Sequence, residues 1–398
     1  MDPITLVFIL LPVAAASGWW MARRGERKPQ PKKAGGLGRE YIRGLDFLIN
    51  DQTDKALEVF TRLVEVDQDT IETHLSLGAL FRRRGEVDRA LRVHQNLIAR
   101  PNLPRAVHQR ALLELARDYL AAGVLDRAEE LFRELVDQNA YVVESLRKLI
   151  RIYEQQSDWE QAIEANRRLE SVSSKHRGQQ LHAIAHYHCE LAEIKQRQGD
   201  TRGAKASLKK ALHVHPNCAR ASLALGDLAF GSADYKDANK FWSKVPDQIL
   251  ALTPEVLPRL KQSYESLSQQ PAFYQWLGDA VHRYKGVAPY MLLAEHAYNS
   301  GDKDQAEQWV LAYLNNSPDI TGMGRLFSAV VSPAGGVSQQ GVRAHLQEAL
   351  EDALKRMAAY RCNHCGFEAR QLHWQCPSCH NWDSITPLPH GPAGSLKK

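Results

Sequence analysis

The chain has 398 residues, 44% of them apolar and 24% charged, a composition that excludes wholesale disorder. Its formal charge of +5 is a local effect: residues 23–39 hold seven basic side chains and one acid, and the rest of the chain carries 44 basic against 45 acidic residues. A folded nucleic-acid-binding domain displays a basic face, so this balance argues against that class and no nucleic-acid partner is expected.

The first element in chain order is an apolar run. Pro3 to Ala22 contains no charged residue, and as a helix it would measure roughly 30 Å, the thickness of a bilayer's hydrocarbon core. Trp19 and Trp20 stand at one end, where indole rings favour the headgroup boundary. A cleaved signal peptide needs a positive stretch before its apolar core, but here Asp2 precedes the run and the basic cluster follows it. We therefore expect residues 1–22 to form a single-pass transmembrane anchor. Basic residues flanking a span stay on the cytoplasmic side, which puts the N-terminus in the periplasm and the bulk of the chain in the cytoplasm. Residues 23–36 read as a basic linker, stiffened by Pro29 and Pro31.

Next comes a repeat. Alanines recur in similar surroundings at Ala56, Ala90, Ala128, Ala162, Ala204, Ala238 and Ala306, with several steps of 34 and a last step of twice that. The double step predicts a further copy at Ala272, followed by Trp276 as an aromatic partner. Small residues (Gly44, Gly78, Ala116, Ala192, Gly226, Ala294) fall early in the first predicted helix of each unit, and glycines (Gly85, Gly123, Gly199, Gly301) follow that helix. Paired helices approach closely only where side chains are small, and a helix ending in a left-handed turn selects glycine. The pattern resembles the tetratricopeptide repeat. It predicts about eight helical hairpins over residues 37–320, stacked as a superhelical solenoid that binds other polypeptides. Insertions near residues 100–108 and 170–180 are expected in loops between repeats.

Beyond a Gly/Pro/Ser-rich break, Val342, Leu346, Leu350, Leu354 and Met357 mark one helical face, so residues 321–359 are expected to be capping helices. Residues 360–390 then contain Cys362-x2-Cys365 and Cys376-x2-Cys379. Two such tight loops can present four thiolates tetrahedrally, so these cysteines are the candidate metal ligands. The wording CxxCG and CPxC resembles the knuckles of the rubredoxin and zinc-ribbon group; His380 stands where rubredoxin has a second glycine. Arg361 and Arg370 are candidates for offsetting the thiolate charge. Thiolate softness admits iron or zinc. Residues 391–398 are a tail. His182, His186, His188 and Cys189 cluster in HAIAHYHC; we read the histidines as repeat packing or solvent-facing, with metal ligation as the alternative, and Cys189 and Cys218 as buried apolar residues. No Walker loop, HExxH or nucleophile elbow occurs, and no catalytic residue or further cofactor site is expected.

The expected fold class is therefore all-α: a repeat solenoid with an N-terminal transmembrane helix and a small rubredoxin-like module. That order of parts resembles the lipopolysaccharide assembly protein B family over essentially the whole chain. The resemblance implies an inner-membrane adaptor, not an enzyme, that promotes proteolysis of the lipid A pathway deacetylase by the membrane protease FtsH and organises other lipopolysaccharide-synthesis proteins. It favours one iron ion over zinc in the four-cysteine site. A homodimer stays open. The alternative reading is a redox- or metal-sensing scaffold built on an iron tetrathiolate.

Overall fold

The computed structural model describes residues 40–44, 46–47, 50, 52–66, 71–101, 103–173, 177–284, 286–316 and 357–388. The expected anchor, linker, most of the capping segment and the tail lie outside these residues. Among those described, no helix is long and apolar enough to cross a membrane. The chain divides into two compact units between Ile152 and Tyr153.

The first unit is built from α1 (Thr53–Val66), α2 (Ile71–Arg83), α3 (Val87–Ile98), α4 (Arg105–Ala121), α5 (Leu125–Asp137) and most of α6 (Val142–Gln156). The second continues with α7 (Trp159–Val172), α8 (Arg177–Arg197), α9 (Thr201–Val214), α10 (Ala219–Gly231) and α11 (Tyr235–Trp242). A short helix α12 (Val245–Gln248) and a 3-10 turn (Leu250–Leu252) precede α13 (Thr253–Ser266), α14 (Gln270–Arg283), α15 (Val287–Asn299) and α16 (Lys303–Asn316). This is a mostly helical tetratricopeptide-repeat solenoid with a small ribbon at its C-terminal end.

One local rule builds each hairpin. The first helix ends at a residue in the left-handed conformation: Gly85, Gly123, Gly199 and Gly301, with φ between +74° and +85°. Asp158, Asp200, Asp234 and Asp302 then accept a bond from the backbone N–H three residues on, capping the second helix. Five residues after the left-handed position comes the alanine, with Ala90, Ala128 and Ala204 completely buried. The small residue of the first helix faces the large one of the second. A Cβ on Gly226 would lie 2.2 Å from the Trp242 ring, and one on Gly78 would lie 2.4 Å from the His94 ring.

Two expectations need correction. The copy predicted at Ala272 is displaced by one residue: Ser268 carries the left-handed turn at φ +56°, so Phe273 and Leu277 fill the buried slots while Ala272 is exposed. The described residues of the second insertion are mostly helical. Helix α7 runs to Val172, and α8 is 21 residues long where its equivalents α2 and α10 have 13. The extra residues add two helical turns at the start of α8.

The first unit also buries a polar cluster. Asp118, fully buried, receives His94 Nδ1 on one oxygen and Arg82 Nη1, at 2.6 Å, on the other. Arg82 Nη2 reaches Glu114 at 2.7 Å.

Candidate metal centre

The ribbon is a three-stranded antiparallel sheet in the order β2-β1-β3, with β1 Tyr360–Cys362, β2 Glu368–Ala369 and β3 Ile385–Pro387. Its register pairs Tyr360 with both Ala369 and Pro387, and Cys362 with Ile385. This fixes one end of the first knuckle to the sheet. There Gly366 N bonds Cys362 O at 3.0 Å, with Gly366 at φ +78°. The second knuckle repeats the arrangement: His380 N bonds Cys376 O at 2.9 Å, with His380 at φ +56°. Despite its side chain, His380 makes the turn that glycine makes in the first loop.

The knuckles bring the sulfurs of Cys362, Cys365, Cys376 and Cys379 together, each within 4.8 Å of the others. Cys362 and Cys379 are 3.7 Å apart, and Cys365 and Cys376 are 3.6 Å apart. Four thiolates at about 2.3 Å from a metal define a tetrahedron with edges of roughly 3.8 Å, so the donor set fits one soft ion. His364 N lies 3.4 Å from the Cys362 sulfur, Ser384 Oγ 3.4 Å from it, and Asn381 Nδ2 3.5 Å from the Cys379 sulfur. Arg361 and Arg370 are exposed. Burial opposes ionisation of Cys362, but Ser384 and the N–H groups of Cys365 and His364 outweigh it and bring its thiol down to about 5. At Cys376 burial prevails and raises the thiol to about 11.

The ribbon rests on the repeat helices of its own unit. Tyr360 OH donates to Glu255 at 2.6 Å, and Trp382 Nε1 donates to Glu154 at 3.3 Å. Glu154 also accepts from Tyr187 OH at 2.7 Å; burial, reinforced by that carboxylate, raises the Tyr187 phenol. Trp382 stacks on His186 with ring centroids 4.7 Å apart, and Trp374 lies under the Arg220 guanidinium. Leu372 and Trp374 pack against the apolar core formed by α10 to α16.

At the centre of this contact sit histidines of the HAIAHYHC segment. His182 Nε2 is 2.7 Å from Asp383 Oδ2, and His186 Nε2 is 3.0 Å from the same atom. His182 makes a hydrogen bond there. His186 Nε2 is close enough to pair electrostatically but out of line for a hydrogen bond. Burial lowers the His186 imidazole below its ordinary value, against the raising effect of Asp383; His182 and Arg220 add to the depression. Burial alone would raise Asp383, yet the two imidazoles hold its carboxyl well below the usual range. These two histidines are thus neither simple repeat packing nor solvent-facing: they meet the ribbon. His188 lies outside the group, near Arg167, Lys210 and Lys195; burial, then those cations, lower it to about 4. Cys189 and Cys218 are buried, their sulfurs 3.9 Å apart, too far for a disulfide.

Sequence reasoning missed Asp383, Trp382, Tyr360, Glu154 and Glu255. Asp383 is 201 residues from His182, and no spacing rule links an acid to a histidine pair at such a distance.

The fold and the four-cysteine site define a helical-repeat scaffold carrying a metal-binding ribbon. Models of the tetratricopeptide repeat match residues 73–106, 113–175 and 189–239, and a model of the rubredoxin metal binding domain matches residues 360–387. Lipopolysaccharide assembly protein B of Escherichia coli (strain K12) is 34% identical over 385 residues, spanning 97% of this chain and 98% of its own. The protein of that name from Haemophilus influenzae is 34% identical over 393 residues, with 97% and 98% coverage. The crystal structure of MamA protein is similar over 47% of this chain and 96% of its own, at 17% identity and a TM-score of 0.35. With end-to-end similarity to curated relatives, the chain belongs to the lipopolysaccharide assembly protein B family.

Proposed function

We propose that this protein is a membrane-anchored adaptor that regulates lipopolysaccharide biosynthesis and performs no chemistry itself. The observation that carries the reading is the 34% identity over 97% of the chain to relatives named for lipopolysaccharide assembly. In this reading residues 1–22 span the inner membrane, 23–36 link, 37–320 form the repeat array, 321–359 cap it and 360–390 form the metal module. The repeats grip the lipid A pathway deacetylase and present it to the protease FtsH; other lipopolysaccharide-synthesis proteins gather on the same array. Anchoring confines the array to the plane of a membrane-embedded protease and raises its effective concentration there.

Cys362, Cys365, Cys376 and Cys379 would hold one iron or zinc ion, whose contribution is to cross-link two loops of a module whose own apolar core is only a few residues. That the ribbon is seated on the repeats through Glu154, Glu255 and the histidine pair supports a structural role for the ion. Visible absorbance of the purified protein separates the two metals: a red, reducible chromophore belongs to iron, and a colourless protein to zinc.

Deleting residues 1–22 tests the adaptor reading. The truncated protein should fold, co-purify with the deacetylase, and fail to restore its turnover in cells lacking the full chain. Full restoration by that fragment would overturn the tethering mechanism, and absence of deacetylase binding by the full chain would overturn the adaptor role.

A further inference from the structure

We propose that His182, His186 and Asp383 form a second metal site, distinct from the four thiolates, which takes a divalent cation such as zinc and clasps the ribbon to helix α8. The two histidines are four residues apart, one helical turn, so their imidazoles project from one face of α8. Asp383 enters from the ribbon. One nitrogen from each ring and a carboxylate oxygen lie within 4.8 Å of one another. Two neutral imidazoles and one carboxylate are a donor set that zinc accepts, with a fourth position left for water.

Hydrogen bonding alone leaves this cluster unfinished. His186 is fully buried, and neither of its ring nitrogens has a hydrogen-bond partner among the described residues. Asp383 Oδ1 is likewise unpartnered. A buried polar atom left unpaired costs on the order of 1–3 kcal/mol, so folds retain such a group where something else satisfies it. An ion between the three donors would satisfy His186 Nε2 and engage the carboxylate. Tetrahedral ligands at 2.0–2.2 Å from zinc stand roughly 3.3 Å apart. The observed separations of 2.7 and 3.0 Å would widen by about 0.6 and 0.3 Å to admit it.

Charge and backbone agree with this assignment. The nearby Arg220 guanidinium is committed to Glu190 at 2.8 Å and Glu193 at 2.6 Å, which leaves the carboxylate of Asp383 available to a cation. Asp383 sits at φ +49°, a left-handed conformation that costs energy in a non-glycine residue and tends to mark functional positions. His182 belongs to the two additional turns of α8, and without them the helix would end short of it. His215 stands edge-on to His182, with ring centroids 5.2 Å apart. An ion here would join two parts of the second unit that are remote in sequence, so its occupancy would govern how firmly the ribbon is seated.

The test uses the full chain purified in detergent, equilibrated with zinc and freed of excess ion, with metal content measured by elemental mass spectrometry. The wild type should hold two ions, one removed readily by a carboxylate chelator and one retained by the thiolates. Cobalt substitution identifies each: the thiolate site gives sulfur-to-cobalt charge transfer, and the second ion adds ligand-field absorption without it. Asp383→Asn preserves shape and tolerates the left-handed backbone. It should weaken the second site by more than the 10- to 100-fold that loss of an outer-sphere partner costs, and His182→Gln should do the same. Both should leave the thiolate spectrum unchanged, which shows that the ribbon is folded. A wild type that binds one ion, or a second ion that survives both substitutions, would overturn the proposal.

Discussion

Each unit buries a histidine against an aspartate, and the two pairs are finished differently. In the first unit, both oxygens of Asp118 are taken, by His94 and by Arg82, and Arg82 is anchored again on Glu114. Each of these polar atoms has its partner inside the cluster. In the second unit, Asp383 faces two histidines through one oxygen, its other oxygen is unpartnered among the described residues, and the guanidinium of Arg220 is bound to Glu190 and Glu193. A buried pair completed by its own counter-ion holds a fold together. A pair left open at a junction depends on what arrives from elsewhere in the chain: here the ribbon that supplies Asp383.

The largest expected effect separates the two pairs outright. Cys376→Ser should release the thiolate-bound ion and melt the ribbon, since a structural metal site contributes on the order of 10 kcal/mol to folding. Asp383 then leaves the histidines, and the ring resonances of His182 and His186 should shift in the NMR spectrum while those of His94 stay in place. The helical circular dichroism should be nearly unchanged, because the described residues of the ribbon form strands and turns. Loss of most helical signal would mean that the array also depends on the ion. Next in size is Asp118→Ala. It strands Arg82 and His94 in a buried site and should cost about 3–5 kcal/mol, read as faster hydrogen exchange in α2 to α4 with metal content unaltered.

A smaller change loosens the junction without touching any metal donor. Glu154 accepts from both Tyr187 and Trp382. Glu154→Ala leaves two covered donors unpaired and should weaken the seating of the ribbon by about 1–3 kcal/mol, visible as faster proteolysis around Trp382. Glu154→Gln keeps an acceptor oxygen and should fall between this variant and the wild type. Equal protease resistance in all three would mean that apolar contacts of Leu372 and Trp374 carry the docking alone.

What could be read from the sequence follows from which forces act locally. The alanine period, the glycine turns and the two cysteine knuckles were legible because each answers to a constraint within a few residues: close helix approach, positive φ, or the reach of a two-residue loop. Ala272 misled because the buried slot five residues after the left-handed Ser268 holds Phe273 instead of an alanine, so the alanine one position earlier was counted in its place. The insertion near residues 170–180 gave no sign of becoming helix, since it carries no apolar period that sets it apart from a loop. The junction was illegible for a plainer reason. His182, Glu154 and Glu255 look like ordinary repeat-surface residues until the ribbon is placed on them, and nothing in the intervening residues encodes that placement.

The smallest effects test whether strain in the ribbon serves the knuckle or the junction. His380 and Asp383 both hold the left-handed conformation, at φ +56° and +49°. That conformation costs a non-glycine residue roughly 1–2 kcal/mol, while glycine costs about 0.5–1 kcal/mol in chain entropy. His380 shapes the second knuckle, so His380→Gly should relieve the strain with no functional loss and stabilise the metal-loaded ribbon by about 0.5 kcal/mol, measured as slower release of the ion to a competing chelator. Asp383→Gly relieves the same strain but removes the group that engages His182 and His186. It should therefore have the opposite sign at the junction: the knuckle keeps its ion, and the ribbon comes away from α8 more readily under protease. If both substitutions stabilise the seating of the ribbon, the carboxylate is a bystander, and the contrast with Asp118 in the first unit is one of packing rather than of chemistry.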